Sequence, residues 1–293
     1  MNNQKKKLRF IINPKSGIGK QKKVEAMIGK CLDLEKFDYE ICYTLAPQHA
    51  VELSREAAEM KYDAVVVVGG DGTINEAARG LLHTQTALGI IPAGSGNGLS
   101  HFLKIPLKPS KALKLINRFN IKLIDTGLIN NHVFVSIAGI GFDAYVAELF
   151  SKSKKRGFWA YIKVIVTQYL IYNPKRFKIY VDGKIMKKNA FMLTFGNSDQ
   201  FGFNARIAST AVIDDGLIDF CIVRKPRIYY AALCVPFLFL GYMHKTPLVK
   251  IFQTKHVKII QRKNNISHID GDQIDLGKCI EVSVVPKSLY IIC

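Results

Sequence analysis

Acidic side chains are scarce in this chain: 23 Asp and Glu stand against 42 Lys and Arg, a formal charge of +19 over 293 residues. So basic a protein implies anionic partners, whether nucleotide phosphates, nucleic acid or an anionic membrane face. The local clusters at Lys5 to Lys7, Lys152 to Arg156, Lys175 to Lys178 and Lys184 to Lys188 lack the aromatic interleaving of an RNA-binding sheet, and zinc-finger and bZIP patterns are missing. Nucleic acid is therefore not the expected partner. The six cysteines lie far apart, with no Cys-x-x-Cys and no histidine at metal spacing, which excludes a zinc site and points to a reduced compartment. Only Leu8 to Ile12 separate the N-terminal lysines from Asn13-Pro14, too few for a signal-peptide core. The longest apolar run, Tyr229 to Met243, has 15 residues, short of the roughly 20 that span a bilayer. The expectation is a soluble or peripheral protein, cytoplasmic and transiently associated with the inner face of the membrane. No Gly-x-x-x-x-Gly-Lys-Ser/Thr occurs, so the chain is not a P-loop NTPase. Internal repeats and low-complexity linkers are also absent.

Against these absences stands one information-rich stretch, Tyr62 to Leu82. Ala64 to Val68 is an unbroken β-branched run of strand length, the signature of a parallel strand covered on both faces. Ile74, Ala77, Ala78, Leu81 and Leu82 then recur at helical spacing, and Thr73 with Glu76 predicts a capping box. Between strand and helix lie Gly69, Gly70, Asp71 and Gly72. Such glycines let backbone amides approach a ligand, and the helix N-terminus adds its own, which makes a phosphate cradle. An acid there has two readings. Asp71 holds Mg²⁺ or takes a proton from an attacking hydroxyl, or it merely caps the helix.

The N-terminal third repeats the pattern. Arg9 to Ile12 reads as a strand closed by Asn13-Pro14-Lys15-Ser16-Gly17, followed by a helix with the stripe Val24, Met27, Ile28, Cys31 and Leu32. Tyr39 to Leu45 is a strand, about Gln48 to Met60 a helix, and Ala87 to Ile91 a strand ending in Pro92-Ala93-Gly94-Ser95-Gly96-Asn97-Gly98. Strands alternating with helices mean a parallel α/β sheet, whose ligands gather at strand carboxyl ends. From about Lys122 the texture becomes that of an antiparallel β-sandwich or part-closed barrel with Asp-Gly turns at 182–183, 215–216 and 270–271. Two helical inserts interrupt it, Phe142 to Ile171 and Tyr229 to Met243. The expected domains are 1–124, with a last strand from Ser288 returning to it, and 125–287.

Asn13-Pro14-x-Ser16-Gly17, Gly69-Gly70-Asp71-Gly72-Thr73-x-Asn75-Glu76 and Pro92-Ala93-Gly94-Ser95-Gly96-Asn97 together resemble the three nucleotide-site motifs of the diacylglycerol kinase catalytic-domain family, which includes bacterial lipid kinases and sphingosine kinases. The resemblance continues through Gly139 to Asp143, Asp214 to Asp219 and Asp270 to Asp272. It implies an ATP- and Mg²⁺-dependent lipid kinase acting on a hydroxyl of diacylglycerol or a sphingoid base at an anionic membrane surface. It implies that Asn13, Thr44, Gly69, Gly70, Asp71, Gly72, Thr73, Asn75, Ser95 and Asn97 hold the nucleotide. It also implies that Asp71 and Asp272 are catalytic and that Asp214, Asp219 and the carbonyl of Leu217 hold a structural Mg²⁺. Asp272 stands where the family usually has Glu, so the general base is Asp71 or Asp272. Gly94-Ser95-Gly96-Asn97 leans toward the sphingosine-kinase branch. For membrane contact, Lys152, Lys154, Lys155 and Arg156 beside Phe158, Trp159 and Tyr161 are one candidate, and Val235 to Leu240 another. Two further readings are an NAD kinase, which shares Gly-Gly-Asp-Gly but has a Gly-Ser-Thr-Ala-Tyr segment missing here, and a non-catalytic lipid- or nucleotide-binding regulator.

Overall fold

The computed structural model describes residues 5–16, 21–152, 158–263 and 265–293. Two compact units divide it, Met1–Ile124 with Lys287–Cys293, and Asp125–Pro286. The chain passes between them twice, once within β5 and once within the last strand.

The first unit contains β1 (Lys6–Ile12), α1 (Gln21–Cys31), β2 (Phe37–Tyr43), α2 (His49–Glu59), β3 (Ala64–Gly69), α3 (Asp71–Leu81), β4 (Ala87–Pro92), α4 (Gly98–Phe102) and α5 (Pro109–Ile116). Its strands run parallel in the order β2-β1-β3-β4, and Ile291 near the C-terminus pairs parallel with Leu88 of β4. Every residue of β3 and β4 is buried, as a valine- and isoleucine-rich strand covered on both faces must be. One face of the sheet, Leu8, Phe10, Ile12, Val66 and Val68, packs on Val24 and Ile28 of α1 and on Ala112, Leu113 and Ile116 of α5. On the other face Arg9 is buried. Its guanidinium donates to Leu53 O and Glu56 at 3.0 Å and to Glu40, so this buried cation is partnered by two carboxylates and a carbonyl.

The second unit contains β5 (Ile121–Ile129), β6 (His132–Phe134), β7 (Ile137–Gly141), α6 (Phe142–Lys152), α7 (Phe158–Ile171), β8 (Lys175–Val181), β9 (Lys184–Ala190), β10 (Met192–Gly196), β11 (Ile218–Val223), α8 (Ile228–Leu240), β12 (Val249–Thr254), β13 (His256–Gln261), β14 (Ser267–Ile269), β15 (Asp272–Ile274) and β16 (Cys279–Ile292). One antiparallel sheet runs β12-β11-β10-β7-β14-β15. A second antiparallel layer joins β16, β13, β8 and β9. Phe195, Phe220 and Leu193 of the first sheet and Ile179, Val257, Ile259 and Ile280 of the second fill one core, which makes this unit a β-sandwich. Cys221 and Val223 point to the opposite side, where Cys234 of α8 joins Met243 and Leu248 in a smaller cluster.

Two local expectations are corrected. The predicted capping box does not form, because α3 begins at Asp71 with Gly70 as its cap. Thr73 is a helical residue whose hydroxyl accepts from Asn13 Nδ2 at 2.9 Å, and the Glu76 carboxylate accepts from Ala50 N. The last strand expected from Ser288 is not a separate strand, because residues 279–292 form the single strand β16. Lys287 takes a left-handed φ of 45° immediately after Pro286, so the backbone kinks there without ending the strand.

Candidate functional site

The parallel register sets Ile12 beside Val68 and Gly69 beside Pro92, so the loops after β1, β3 and β4 leave from one edge of the first unit's sheet. Backbone hydrogen bonds stitch these exits together: Asn13 N to Val68 O at 3.1 Å, Thr44 N to Ile12 O at 3.0 Å, and Ala93 N to Gly69 O at 2.8 Å. Asn13, Thr44, Gly69, Gly70, Asp71, Gly72, Thr73, Ser95 and Asn97 therefore gather at one edge. Asn75 lies one turn further along α3 and is buried. Gly17 lies outside the described residues.

The three loops are tied to each other by specific groups. Asn13 reaches from the first loop to Thr73 in the second, while its own Oδ1 accepts from Lys15 N at 2.9 Å. Gly70 and Gly94 meet backbone to backbone, since a Cβ built on Gly94 would sit 2.6 Å from Gly70 Cα. Only hydrogen fits there. Asn97, in the left-handed region at φ 50°, folds its amide back on Gly94, accepting from Gly94 N at 3.0 Å and donating to Gly94 O at 2.9 Å. Ser95 stands exposed at the tip of the turn so formed.

Asp71 carries the strongest of these ties. Its two oxygens accept the backbone amides of Asn97 and Gly98, each at 2.8 Å. The carboxylate thus caps a helix, but the helix is α4 in the third loop rather than its own. Charged acceptors on amides make bonds about twice as strong as neutral ones, so Asp71 fixes the spacing of the second and third loops.

In the second unit the two carboxylates of the Asp270-Gly271-Asp272 turn sit in different environments. Asp270 and Gly271 both have positive φ, 47° and 92°, the geometry of a tight hairpin between β14 and β15. The buried Asp270 carboxylate accepts three backbone amides, those of Val135 at 2.9 Å, Ser136 at 2.9 Å and Ile137 at 3.0 Å. Asp272, the first residue of β15, is exposed. Beside them His268 accepts from Gly271 N on Nδ1 at 3.4 Å, which leaves its Nε2 proton for Asp143 Oδ2, also at 3.4 Å. Thr194 donates to the same carboxylate at 3.2 Å.

The suggested cation residues sit around β11. Asp214 is exposed and Leu217 half-buried, whereas Asp219 is 2% exposed. Asp219 accepts from Thr210 Oγ1 and, at 3.2 Å, from Gln253 Nε2, both neutral donors. Burial pushes its carboxyl above the usual carboxylate range, and the two donors offset only part of that. Among the described residues no group of three or more His, Cys, Asp or Glu is arranged to hold a metal. A cation here would need a carbonyl as well as carboxylates, and that mixed oxygen set suits a hard ion. The buried Asp125 accepts from Gly216 N at 2.7 Å and so pins this turn. Sequence reasoning gave no role to Asp125, Asp270, Asp143 or His268. The signal for the first three is an acid inside or directly beside a strand-forming run, where a side chain must find amides.

Comparison with known proteins gives this arrangement a family. Residues 7–129 match the diacylglycerol kinase catalytic domain, and residues 136–293 match the YegS C-terminal NAD kinase beta sandwich-like domain. The chain belongs to this diacylglycerol kinase/YegS family. A protein of Chromohalobacter salexigens named "Probable lipid kinase YegS-like" is 34% identical over 181 residues, 59% of this chain and 58% of that protein, so the match spans under two thirds of that relative's length. The protein named diacylglycerol kinase in Bacillus subtilis strain 168 is 28% identical over 228 residues, 76% of this chain and 75% of its own. A diacylglycerol kinase crystal structure from Bacillus anthracis str. Sterne superposes with a TM-score of 0.71 over 99% of this chain and 97% of its own, at 21% identity, which speaks for the fold. In this family member the N-terminal domain is α/β with a mostly parallel sheet, and the C-terminal domain is antiparallel, as the alternation of patterns along the sequence indicates.

Proposed function

We propose that this chain is an ATP- and Mg²⁺-dependent lipid kinase that phosphorylates a hydroxyl of diacylglycerol or a sphingoid base, at the cytoplasmic face of an anionic membrane. The observation that carries the reading is the edge where the loops after β1, β3 and β4 converge, with Gly70 against Gly94 and Asp71 bound to two amides of the third loop. Phosphoryl transfer needs little covalent chemistry from a protein, because positioning and charge stabilisation supply most of the rate. In this reading the amides of Gly69 to Thr73 and the N-terminus of α3 bind phosphate oxygens, with Asn13, Thr44, Asn75, Ser95 and Asn97 shaping the rest of the nucleotide site. Bound Mg²⁺ would supply compensation for the phosphate charge, and Asp214, Asp219 and the Leu217 carbonyl would hold a second, structural ion.

The carboxylates then separate by role. Asp71, whose oxygens each accept an amide, acts as a positioning group whose movement would carry the third loop with it. Asp272 is exposed and is the better general base for the lipid hydroxyl. Transfer of ³²P from Mg·ATP to a micellar panel of diacylglycerol, sphingosine, dihydrosphingosine, ceramide and NAD tests the proposal. Label in diacylglycerol or a sphingoid base is expected, and Asp71→Ala should abolish it. Label only in NAD, or in nothing, would sink the reading.

A further inference from the structure

Helix α8 has the sequence IYYAALCVPFLFL, without a single charged residue, yet only Cys234 of its 13 residues is buried. A helix apolar all round belongs in a protein core or in lipid. This one is not in the core: Ile228, Tyr229, Leu233 and Leu240 are 54%, 61%, 65% and 63% exposed. Helix α7 leaves a second apolar stripe open, with Trp159, Val166 and Leu170 at 81%, 58% and 68% and Lys163 between them at helical spacing. The two helices are neighbours. Tyr169 of α7 donates to Pro226 O just before α8, and Lys225 Nζ donates to Tyr172 O just after α7 at 2.7 Å.

The charge around these faces says what covers them. From Phe220 to Ile269 the chain has nine Lys and Arg and no Asp or Glu. From Ser151 to Val181 it has eight and again none. Acids are therefore missing from both segments that frame the exposed apolar residues, and cations are plentiful. Two copies of so basic a surface repel each other, which disfavours self-association. Apolar side chains carried on acid-free, cation-rich segments, with Trp and Tyr among them, suit the interface of an anionic bilayer, where acyl chains take the apolar groups and headgroups the cations.

We propose that α7 and α8 form a monotopic docking surface that lies in the headgroup layer of an anionic membrane, burying Ile228, Leu233 and Leu170 among the acyl chains. No helix among the described residues is long and apolar enough to cross a membrane, which is consistent with a surface mode. The proposal deepens the lipid-kinase reading by naming the contact, and it rests on that reading only for the purpose of the docking. The chain's single tryptophan, Trp159, lies on this surface and reports on it directly.

The experiment is flotation of the full-length protein with vesicles of phosphatidylcholine, with and without phosphatidylglycerol, while Trp159 emission is recorded without ATP. Binding should require the anionic lipid, weaken with salt and shift Trp159 emission to the blue. Ile228→Ser/Leu233→Ser and, separately, Leu170→Ser should each weaken partitioning about tenfold or more while far-UV circular dichroism stays unchanged. The proposal is overturned if the wild type ignores anionic vesicles, if the folded variants bind as well as it does, or if the wild type elutes as a dimer that the variants dissociate. Phosphoryl transfer to dispersed short-chain diacylglycerol and sphingosine, read in parallel, separates the two ideas. Failed docking with intact transfer rejects this surface alone, and intact docking without transfer rejects the kinase reading alone.

Discussion

Removing the carboxylate of Asp270 would strand three backbone amides, those of Val135, Ser136 and Ile137, inside the sandwich. Hydrogen bonds to a charged group are worth about 1.5–3 kcal/mol each, so Asp270→Ala should cost at least about 3 kcal/mol in denaturant unfolding. Asp272→Ala, two residues away on an exposed side chain, should cost under about 1 kcal/mol and yet abolish phosphoryl transfer. Equal stability losses in the two variants would refute that division. Asp219 gives a second prediction at this scale. Because burial raises its carboxyl, the protonated form is favoured in the fold, and the stability this brings at low pH is lost as pH rises through the raised value. Once ionised, the buried carboxylate meets the neutral donors Thr210 and Gln253. Mg²⁺ should therefore raise the wild-type melting temperature at pH 7 and leave that of Asp219→Asn unmoved.

At the scale of elements, the edge proposed to bind nucleotide depends on two loops touching backbone to backbone. Gly94→Ala would set a methyl 2.6 Å from Gly70 Cα, forcing the loops apart while the strands beneath remain buried. ATP affinity, measured by calorimetry, should fall roughly tenfold or more with little change in melting temperature, since the strain falls on half-buried loops outside the core. Much of this layer is legible in the sequence. The valines at 65–68 declare a doubly covered strand, and helical spacing declares the buried stripe of Ile74, Ala77, Ala78 and Leu81. What sequence cannot declare is which partner a versatile side chain chooses. Thr73 and Glu76 have the capping-box spacing, but Asn13, 60 residues away, takes the threonine hydroxyl. Asp270 has the look of a turn residue, yet its amides come from about 135 positions upstream. Long-range pairing of this kind leaves no periodic trace.

At the scale of the molecule, Leu289, Ile291 and Ile292 of β16 are fully buried, and Ile292 joins the core of the first unit with Phe10, Val66 and Ile116. Deleting residues 287–293 should therefore destabilise the first unit while the sandwich keeps its own core. Limited proteolysis should then cut preferentially before residue 124, and uniform resistance would contradict the assignment of these residues. The break that Pro286 and Lys287 suggest in the sequence is real as a kink, but the strand continues through it and changes units as it does so.

This return of the chain bears on how the protein is made. A ribosome delivers the first 124 residues early, and an N-terminal domain ordinarily folds as it emerges. Here the strand that completes the N-terminal core is translated only after the whole of Asp125–Pro286. The edge proposed to bind nucleotide is thus assembled on a sheet that waits, one strand short, until residues 287–293 have been made. A product truncated before residue 287 would hold every loop of that edge and lack the strand on which the sheet closes.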